Sequence, residues 1–80
     1  MKILVIDKNE NIRQDLKVAL EGEGYEVLTA ETGREGLEIF IRELPSIILV
    51  DVNLADIDGI EVLKRVKEQN PDVQVIVTSD

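Results

Sequence analysis

One short apolar run constrains the fold of this chain most. Residues 47–50 are wholly apolar, end abruptly at Asp51, and lead into an acidic loop that reaches Gly59. A continuous apolar run of this length predicts a strand that is buried on both faces, as in parallel sheets. The chain begins with a matching piece, residues 2–6 followed by Asp7. Because open α/β sheets bind ligands beyond the carboxyl ends of their strands, the two aspartates are candidates for one site.

Strand-like and helical patterns alternate along the whole chain. The predicted strands are residues 2–6, 25–30, 47–50 and 73–77, and helices are predicted over residues 11–20, from Thr32 to Pro45 and from Asp58 to Asn70. The order βαβαβαβ with short connections predicts an α/β fold, because right-handed crossovers place helices on both faces of a parallel sheet. Eighty residues allow one small domain.

Local signals mark the helix ends and the faces that should meet the sheet. Thr32 and Glu35 match a capping box, Gly22 or Gly24 stops the first helix, and Asp58 caps the third. The apolar positions predicted to face inward are Ile12, Leu16, Ala19 and Leu20 in the first helix, Leu37, Phe40, Ile41 and Leu44 in the second, and Ile60, Leu63 and Val66 in the third.

Composition excludes several classes of function. The net charge of −8 argues against direct contact with nucleic acid or an anionic membrane. The chain contains no cysteine and no histidine, which excludes disulfides, thiolate chemistry and the commonest general base. Any metal should therefore be a hard, oxygen-bound cation such as Mg²⁺. No segment is long and apolar enough to span a bilayer, so the expected location is the cytoplasm.

The predicted edge of the sheet offers acidic and hydroxyl side chains. Asp7 and Asp51, if adjacent, form an anionic pocket that suits Mg²⁺, and a carboxylate can attack phosphorus to give an aspartyl phosphate. Thr78 and Ser79, at the end of the fourth strand, supply hydroxyls. An aspartate after a strand is more often a turn or cap residue when it stands alone. Two on neighbouring strands, with hydroxyls on the next, favour a site.

Other acidic and glycine residues near this edge have simpler interpretations. Asp56 is interpreted as a turn residue and Asp58 as an N-cap, and Gly59 is interpreted as a position where the backbone itself requires glycine. Gly22 and Gly24 precede a strand, whereas the glycines of a dinucleotide-binding fingerprint follow a strand and open a helix. The sequence therefore gives no support to nucleotide binding through a glycine-rich loop.

On these motifs the chain resembles the receiver domain of two-component response regulators. Counterparts of residues 3–7, 24–27, 50–59, 70–71 and 77–79 occur in that family at mutually consistent spacings. The resemblance covers the whole chain and implies a flavodoxin-like open parallel sheet, of which residues 1–80 are the N-terminal portion. It also implies the strand order 2-1-3-4.

The resemblance implies a role for each candidate residue. Asp51 matches the phosphoacceptor, which takes a phosphoryl group from a sensor histidine kinase or a phosphotransfer protein. Asp7 matches the first of the family's two metal-binding acids, and Asn53 the residue whose backbone carbonyl binds Mg²⁺ beside Asp51. Ser79 aligns best with the hydroxyl residue that contacts the phosphoryl group, and Thr78 is the less favoured neighbour.

The chain departs from the family pattern next to Asp7. The second acid of the pair is Lys8 here, and an ammonium beside a divalent cation costs on the order of a few kcal/mol at an effective dielectric constant near 20. Since about 1.4 kcal/mol is a tenfold change in affinity, weakened Mg²⁺ binding is expected. Leu54-Ala55 replaces the family's common Met-Pro, and Asp80 stands where a small residue usually lines the approach to the site.

The fourth helix, fifth strand and fifth helix of the family, with its fifth-strand lysine, have no counterpart in the sequence.

The leading hypothesis is a receiver-type phosphoacceptor module with no turnover beyond its own phosphorylation and hydrolysis. One alternative is a pseudo-receiver, a protein-interaction module in which Lys8 has replaced dependence on metal. Another is a fragment that is stable only after self-association. Because the fourth strand would leave an apolar sheet edge, a homo-oligomer is expected.

Overall fold

A single parallel sheet organises the chain. The computed structural model describes residues 1–79, in which the elements are β1 (Lys2–Ile6), α1 (Glu10–Gly22), β2 (Glu26–Ala30), α2 (Gly33–Glu43), β3 (Ile47–Asp51), α3 (Gly59–Gln69) and β4 (Gln74–Thr78). All strand pairs are parallel, and the strand order is β2-β1-β3-β4. The predicted alternation of strands and helices and the predicted strand order are confirmed.

The core lies on both sides of the sheet, because successive residues of a strand point to opposite faces. The larger cluster joins the sheet to α2 and α3 and contains Leu4, Ile6, Ala30, Ile39, Phe40, Ile48, Val50, Val62, Val66 and Val73. The smaller cluster contains Ile3, Val5 and Val27, against which Leu16 and Leu20 of α1 are only partly buried. No residue of α1 is fully buried, so the α1 face of the sheet is the thinner layer.

The helix ends follow the capping chemistry of the sequence. The Thr32 hydroxyl accepts the Glu35 N–H at 3.1 Å, and the Glu35 carboxylate accepts the Glu31 N–H at 2.8 Å. Asp58 caps α3 by accepting the Glu61 N–H at 2.8 Å. After α1 the chain turns at Gly24, where φ is +95° and a side chain would be strained. These predicted caps and the predicted glycine turn are confirmed.

The predicted inward faces of α2 and α3 are partly wrong. Ile41 and Leu44 are 67% and 71% exposed, whereas Ile39 is buried. The reason is that α2 turns its glycines inward: a Cβ on Gly36 would overlap Cδ1 of Ile6 in β1, and Gly33 packs against Ile57 and Val62. Hydrophobic spacing does not detect such close packing, because glycine contributes no apolar side chain to the pattern.

A similar shift occurs in α3 and in α1. Val62 and Val66 are fully buried, but Ile60 is 41% exposed instead of facing the sheet. In α1, Ala19 is exposed, and the helix begins one residue before the predicted start, after the N-cap Asn9. Within residues 1–79, no helix has both the length and the apolar character that crossing a membrane requires.

Candidate functional site

Two buried carboxylates lie at the carboxyl edge of the sheet. Ile6 pairs with Val50 in the β1–β3 register, so Asp7 and Asp51 follow at the same edge of neighbouring strands. Asp7 is 6% exposed and Asp51 is 2% exposed. Thr78 is in register with Asp51, and all three residues line one cavity of about 270 Å³ on the α1 side of the sheet. The structure therefore brings together the predicted acids and one predicted hydroxyl.

Backbone N–H groups hold the two carboxylates in place. One oxygen of Asp7 accepts the Asn9 N–H at 2.8 Å, and one oxygen of Asp51 accepts the Asn53 N–H at 3.1 Å. Within residues 1–79, neither carboxylate takes part in a salt bridge. Burying two negative charges side by side is unfavourable without a positive partner. The pair is therefore suited to bind a cation from solution.

The donor set at this edge fits Mg²⁺, which is commonly held by one or two carboxylates and further oxygens. The Asn53 carbonyl accepts no hydrogen bond from residues 1–79 and is free to act as an oxygen ligand. No cluster of three or more carboxylates assembles in the described part of the chain. Lys8, at the position where the family resemblance implies a further acid, is exposed and forms no salt bridge with residues 1–79.

The other predicted site residues, Ser79 and Asn53, are not among the residues that line this cavity. Ser79 follows β4 directly; it and Thr78 are both exposed, but only Thr78 lines the cavity. Asn53 is also exposed, at the start of the loop after β3. In that loop, Leu54 packs against the larger core cluster and Ala55 is exposed. Asp80, predicted to line the approach to the site, lies outside the described residues.

Asp56 has a contact that sequence analysis missed. Its carboxylate accepts the N–H groups of Gly33 and Arg34, each at 2.9 Å, at the N-terminus of α2. Partial desolvation raises the pKa of Asp56, but hydrogen bonds from backbone N–H groups, including those of Arg34, Ile57 and Gly33, outweigh it and lower the pKa from 3.8 to about 2. No local pattern connects residues 22 and 23 positions apart, so the sequence carried no signal for it.

Arg13 is a second residue that the sequence analysis missed. Its Nη1 donates a hydrogen bond of 2.7 Å to the main-chain carbonyl of Asp7. This contact ties the first turn of α1 to the carboxyl end of β1, close to the acidic pair. Arg13 lies four residues after Asn9, the N-cap of α1. That position indicates a helical residue, but it gives no sign of a contact with the site.

Comparison with known proteins identifies the family. The model of the family described as "Response regulator receiver domain" matches residues 3–80. The chain belongs to the response regulator receiver family. It is 37% identical over 76 residues to sporulation initiation phosphotransferase F of Bacillus subtilis, a match that covers 95% of the chain and 61% of that protein. The alkaline phosphatase synthesis transcriptional regulatory protein PhoP of Bacillus subtilis is 46% identical over 68 residues, 85% of the chain and 28% of PhoP.

Solved receiver structures have the same architecture. The response regulator TrrA of Thermotoga maritima, solved in complex with Mg²⁺ and BeF, superposes with a TM-score of 0.93 at 36% identity, over 98% of this chain and 64% of that one. Chemotaxis protein CheY4 of Vibrio cholerae gives a TM-score of 0.90 at 33% identity, over 95% of this chain and 65% of CheY4. The predicted flavodoxin-like fold of the receiver family is thus confirmed, and the chain spans less than two thirds of these relatives.

Proposed function

We propose that this receiver chain accepts a phosphoryl group on Asp51 in a Mg²⁺-assisted reaction. The supporting observation is the environment of Asp51, a carboxylate 2% exposed, at the end of β3 and beside a cavity that it shares with Asp7. It has no salt-bridge partner within residues 1–79. A charge held in this way needs no side chain displaced before it acts as a nucleophile.

The proposed step transfers one phosphoryl group from a phosphohistidine of a sensor histidine kinase or a phosphotransfer protein. A carboxylate oxygen of Asp51 forms the new O–P bond while the N–P bond to the imidazole breaks. The bonding electron pair goes to the imidazole nitrogen, which then takes a proton from water. Hydrolysis of the aspartyl phosphate returns Asp51 to its starting state, so the chain has no other substrate in this proposal.

Three groups of this chain would hold Mg²⁺: the carboxylates of Asp7 and Asp51 and the backbone carbonyl of Asn53. When bound, the ion supplies positive charge that offsets the charge on the transferring phosphoryl oxygens. Ser79, or the less favoured Thr78, would donate a hydroxyl hydrogen bond to one of those oxygens. The relative TrrA was solved with Mg²⁺ and BeF, which supports the assignment by similarity.

Incubation with phosphoramidate, a small phosphoryl donor, and Mg²⁺ tests the proposal. Intact-protein mass spectrometry should show the gain of one phosphoryl group in the native chain and no gain in Asp51→Asn. Asp72→Asn is the matched control, because it removes the same charge at an exposed position between α3 and β4. No gain in the native chain, or an equal gain in Asp51→Asn, would contradict the proposal.

A second candidate function is a pseudo-receiver that binds protein partners without phosphorylation. The observation that favours it is the acidic pair without a third carboxylate, since Lys8 follows Asp7. Under this alternative the native chain gains no phosphoryl group, whereas Lys8→Asp restores the gain. If the native chain and Lys8→Asp both gained one phosphoryl group to the same extent, the alternative would be rejected.

The partner surfaces in this proposal follow from charge and from the sheet edge. The net charge of −8 supports a protein partner and no direct contact with nucleic acid or membrane lipid.

β4 is an edge strand of the described sheet, and Ile76 is 51% exposed on it, which supports pairing with a second copy. A light-scattering mass of one chain at high concentration would contradict that pairing. If folding required self-association, the unfolding midpoint would rise with protein concentration.

By similarity to relatives that the chain covers only in part, we infer that residues 1–80 are the N-terminal portion of a receiver domain. The transcriptional regulator PhoP is matched over 28% of its length, so any output activity stays outside this proposal. The expected cytoplasmic location stays a prediction.

A further inference from the structure

The loop of residues 52–58 carries the Asn53 carbonyl and joins β3 to α3. Its ends are closed, because the Val52 carbonyl accepts the Gly59 N–H at 3.0 Å and the Val52 N–H donates to the Thr78 carbonyl at 2.8 Å. Between these ends, the hydrogen bonds that tie residues 54–57 to another element of the described structure are those of Asp56. The middle of the loop therefore depends on one side chain for its polar attachment.

Asp56 attaches the loop to the first turn of α2. The N–H groups of Gly33 and Arg34 donate to different oxygens of its carboxylate, each at 2.9 Å, and such a two-point contact fixes the orientation of the acceptor. The N–H of Glu35 donates instead to the Thr32 hydroxyl. Asp56 and Thr32 thus accept three of the four N–H groups that the N-terminus of a helix cannot satisfy internally.

The attachment is a backbone contact more than a charge pair. The Arg34 side chain is 78% exposed, and its Nε lies 4.0 Å from Asp56, so this ion pair contributes little. The Asp56 side chain is 21% exposed, so the hydrogen bond from the Gly33 N–H is partly shielded from water and the one from the Arg34 N–H is exposed. Beside it, Ile57 covers Gly33 so closely that a Cβ on Gly33 would lie 2.5 Å from the Ile57 Cγ1. The loop and the helix backbone are in direct contact.

The element that receives the loop is firmly held. α2 buries Ile39 and Phe40 against the sheet, and its Gly36 allows close approach to β1. A ligand group supported by a packed element keeps its geometry better than one on a free loop. The only hydrogen bond by which Asn53 contacts the site within residues 1–79 is its N–H to Asp51, at 3.1 Å. That bond is too little to fix the loop alone.

We propose that Asp56 is a positioning residue: it fastens the loop of residues 52–58 to α2 and so holds the Asn53 backbone at the Asp51 site. Its consequence for Mg²⁺ binding rests on the proposed function, whereas the fastening of the loop does not. Asp56 touches no reacting atom in this proposal. It acts through Asn53, as residues that orient metal ligands do.

Amide hydrogen exchange followed by NMR, without metal, tests the fastening. In Asp56→Ala we expect the Asn53 and Gly59 amides to exchange at least about tenfold faster than in the native chain, which corresponds to about 1.4 kcal/mol. The Asp7 amide, which donates to the Ala30 carbonyl in the sheet, is the internal reference. Thr32→Ala is the matched variant, since it removes the other acceptor of the same helix turn and leaves the loop untouched. In Thr32→Ala, the exchange rates of the Asn53 and Gly59 backbone amides should stay within about twofold of those in the native chain.

Equal acceleration in Asp56→Ala and Thr32→Ala would overturn the proposal, because Asp56 would then act only through the stability of α2. Unchanged loop exchange in Asp56→Ala would overturn it as well. If Asp56→Ala does not fold, Asp56→Asn replaces it, since it keeps one acceptor oxygen. Asp56→Asn should give loop exchange faster than that of Thr32→Ala, and loop exchange no faster than in Thr32→Ala would again overturn the proposal.

A titration with Mg²⁺ alone, followed by the amide spectrum, tests the consequence. The dissociation constant should rise by about tenfold or more in Asp56→Ala and by less than about twofold in Thr32→Ala. A native chain that shows no response to Mg²⁺ would count against the proposed function, and the exchange comparison would still decide the role of Asp56. A normal Mg²⁺ affinity in Asp56→Ala would overturn the positioning of Asn53.

Discussion

The close approach of Gly59 to β3 predicts that Gly59→Ala destabilises the fold at the acceptor site. An ideal Cβ on Gly59 would lie 2.5 Å from the Asp51 carbonyl oxygen, 2.9 Å from the Val52 Cα and 3.0 Å from the Asp51 carbonyl carbon. All three are backbone atoms, so no side-chain rotation relieves the overlap. The Gly59 N–H also donates to the Val52 carbonyl at 3.0 Å, and separating the two segments would lengthen this bond.

The magnitude combines an unfavourable and a favourable effect. Overpacking against a fixed backbone costs about 1–3 kcal/mol, and a weakened hydrogen bond adds up to about 1 kcal/mol. Alanine restricts the unfolded chain more than glycine does, by about 0.4–1 kcal/mol, which offsets part of this. The net effect is a loss of about 2 kcal/mol. For a domain of this size, that corresponds to a fall in Tm of roughly 8–16 °C.

Thermal unfolding followed by circular dichroism measures this effect. Gly22→Ala is the matched control, because Gly22 ends α1 and a Cβ there meets nothing within 4 Å. Its Tm should be unchanged or slightly raised, since alanine restricts the unfolded chain more than glycine does. A Gly59→Ala chain as stable as the native one, or an equal loss in both variants, would refute the steric argument.

Three further predictions concern the site and the core. Lys8→Asp should raise Mg²⁺ affinity by about tenfold or more in an NMR titration, and an unchanged affinity would show that Lys8 leaves the metal site unaffected. Because the pKa of Asp56 is lowered from 3.8 to about 2, its ionised form stabilises the fold above pH 4. The stability advantage of the native chain over Asp56→Asn in urea unfolding should therefore shrink as the pH falls from about 4 to about 2, and a constant advantage would contradict this. Val62→Ala, at a fully buried position, should lower the free energy of unfolding in urea by about 2 kcal/mol. Ile41→Ala, at a position 67% exposed, should lower it by less than about 0.5 kcal/mol. Equal losses in the two variants would contradict the observed helix faces.

Much of the architecture could be predicted from the sequence because its causes are local. Runs of apolar residues between turn signals mark the strands, and Thr32 and Asp58 cap helices through bonds that span three residues. The acidic pair was equally accessible, since Asp7 and Asp51 each end a buried strand. Parallel strands bring their carboxyl ends to one edge, so the strand order that the family resemblance implies was enough to place both acids together.

Only the tertiary structure decided which faces pack and what supports the site. Gly33 and Gly36 turn α2 toward the sheet and the loop, because a residue without a side chain lets neighbours approach closely, and hydrophobic spacing cannot show this. The contacts of Arg13 with Asp7 and of Asp56 with α2 are polar and depend on where the packed elements meet. Local patterns extend over a few residues, whereas such contacts arise only after the chain has folded.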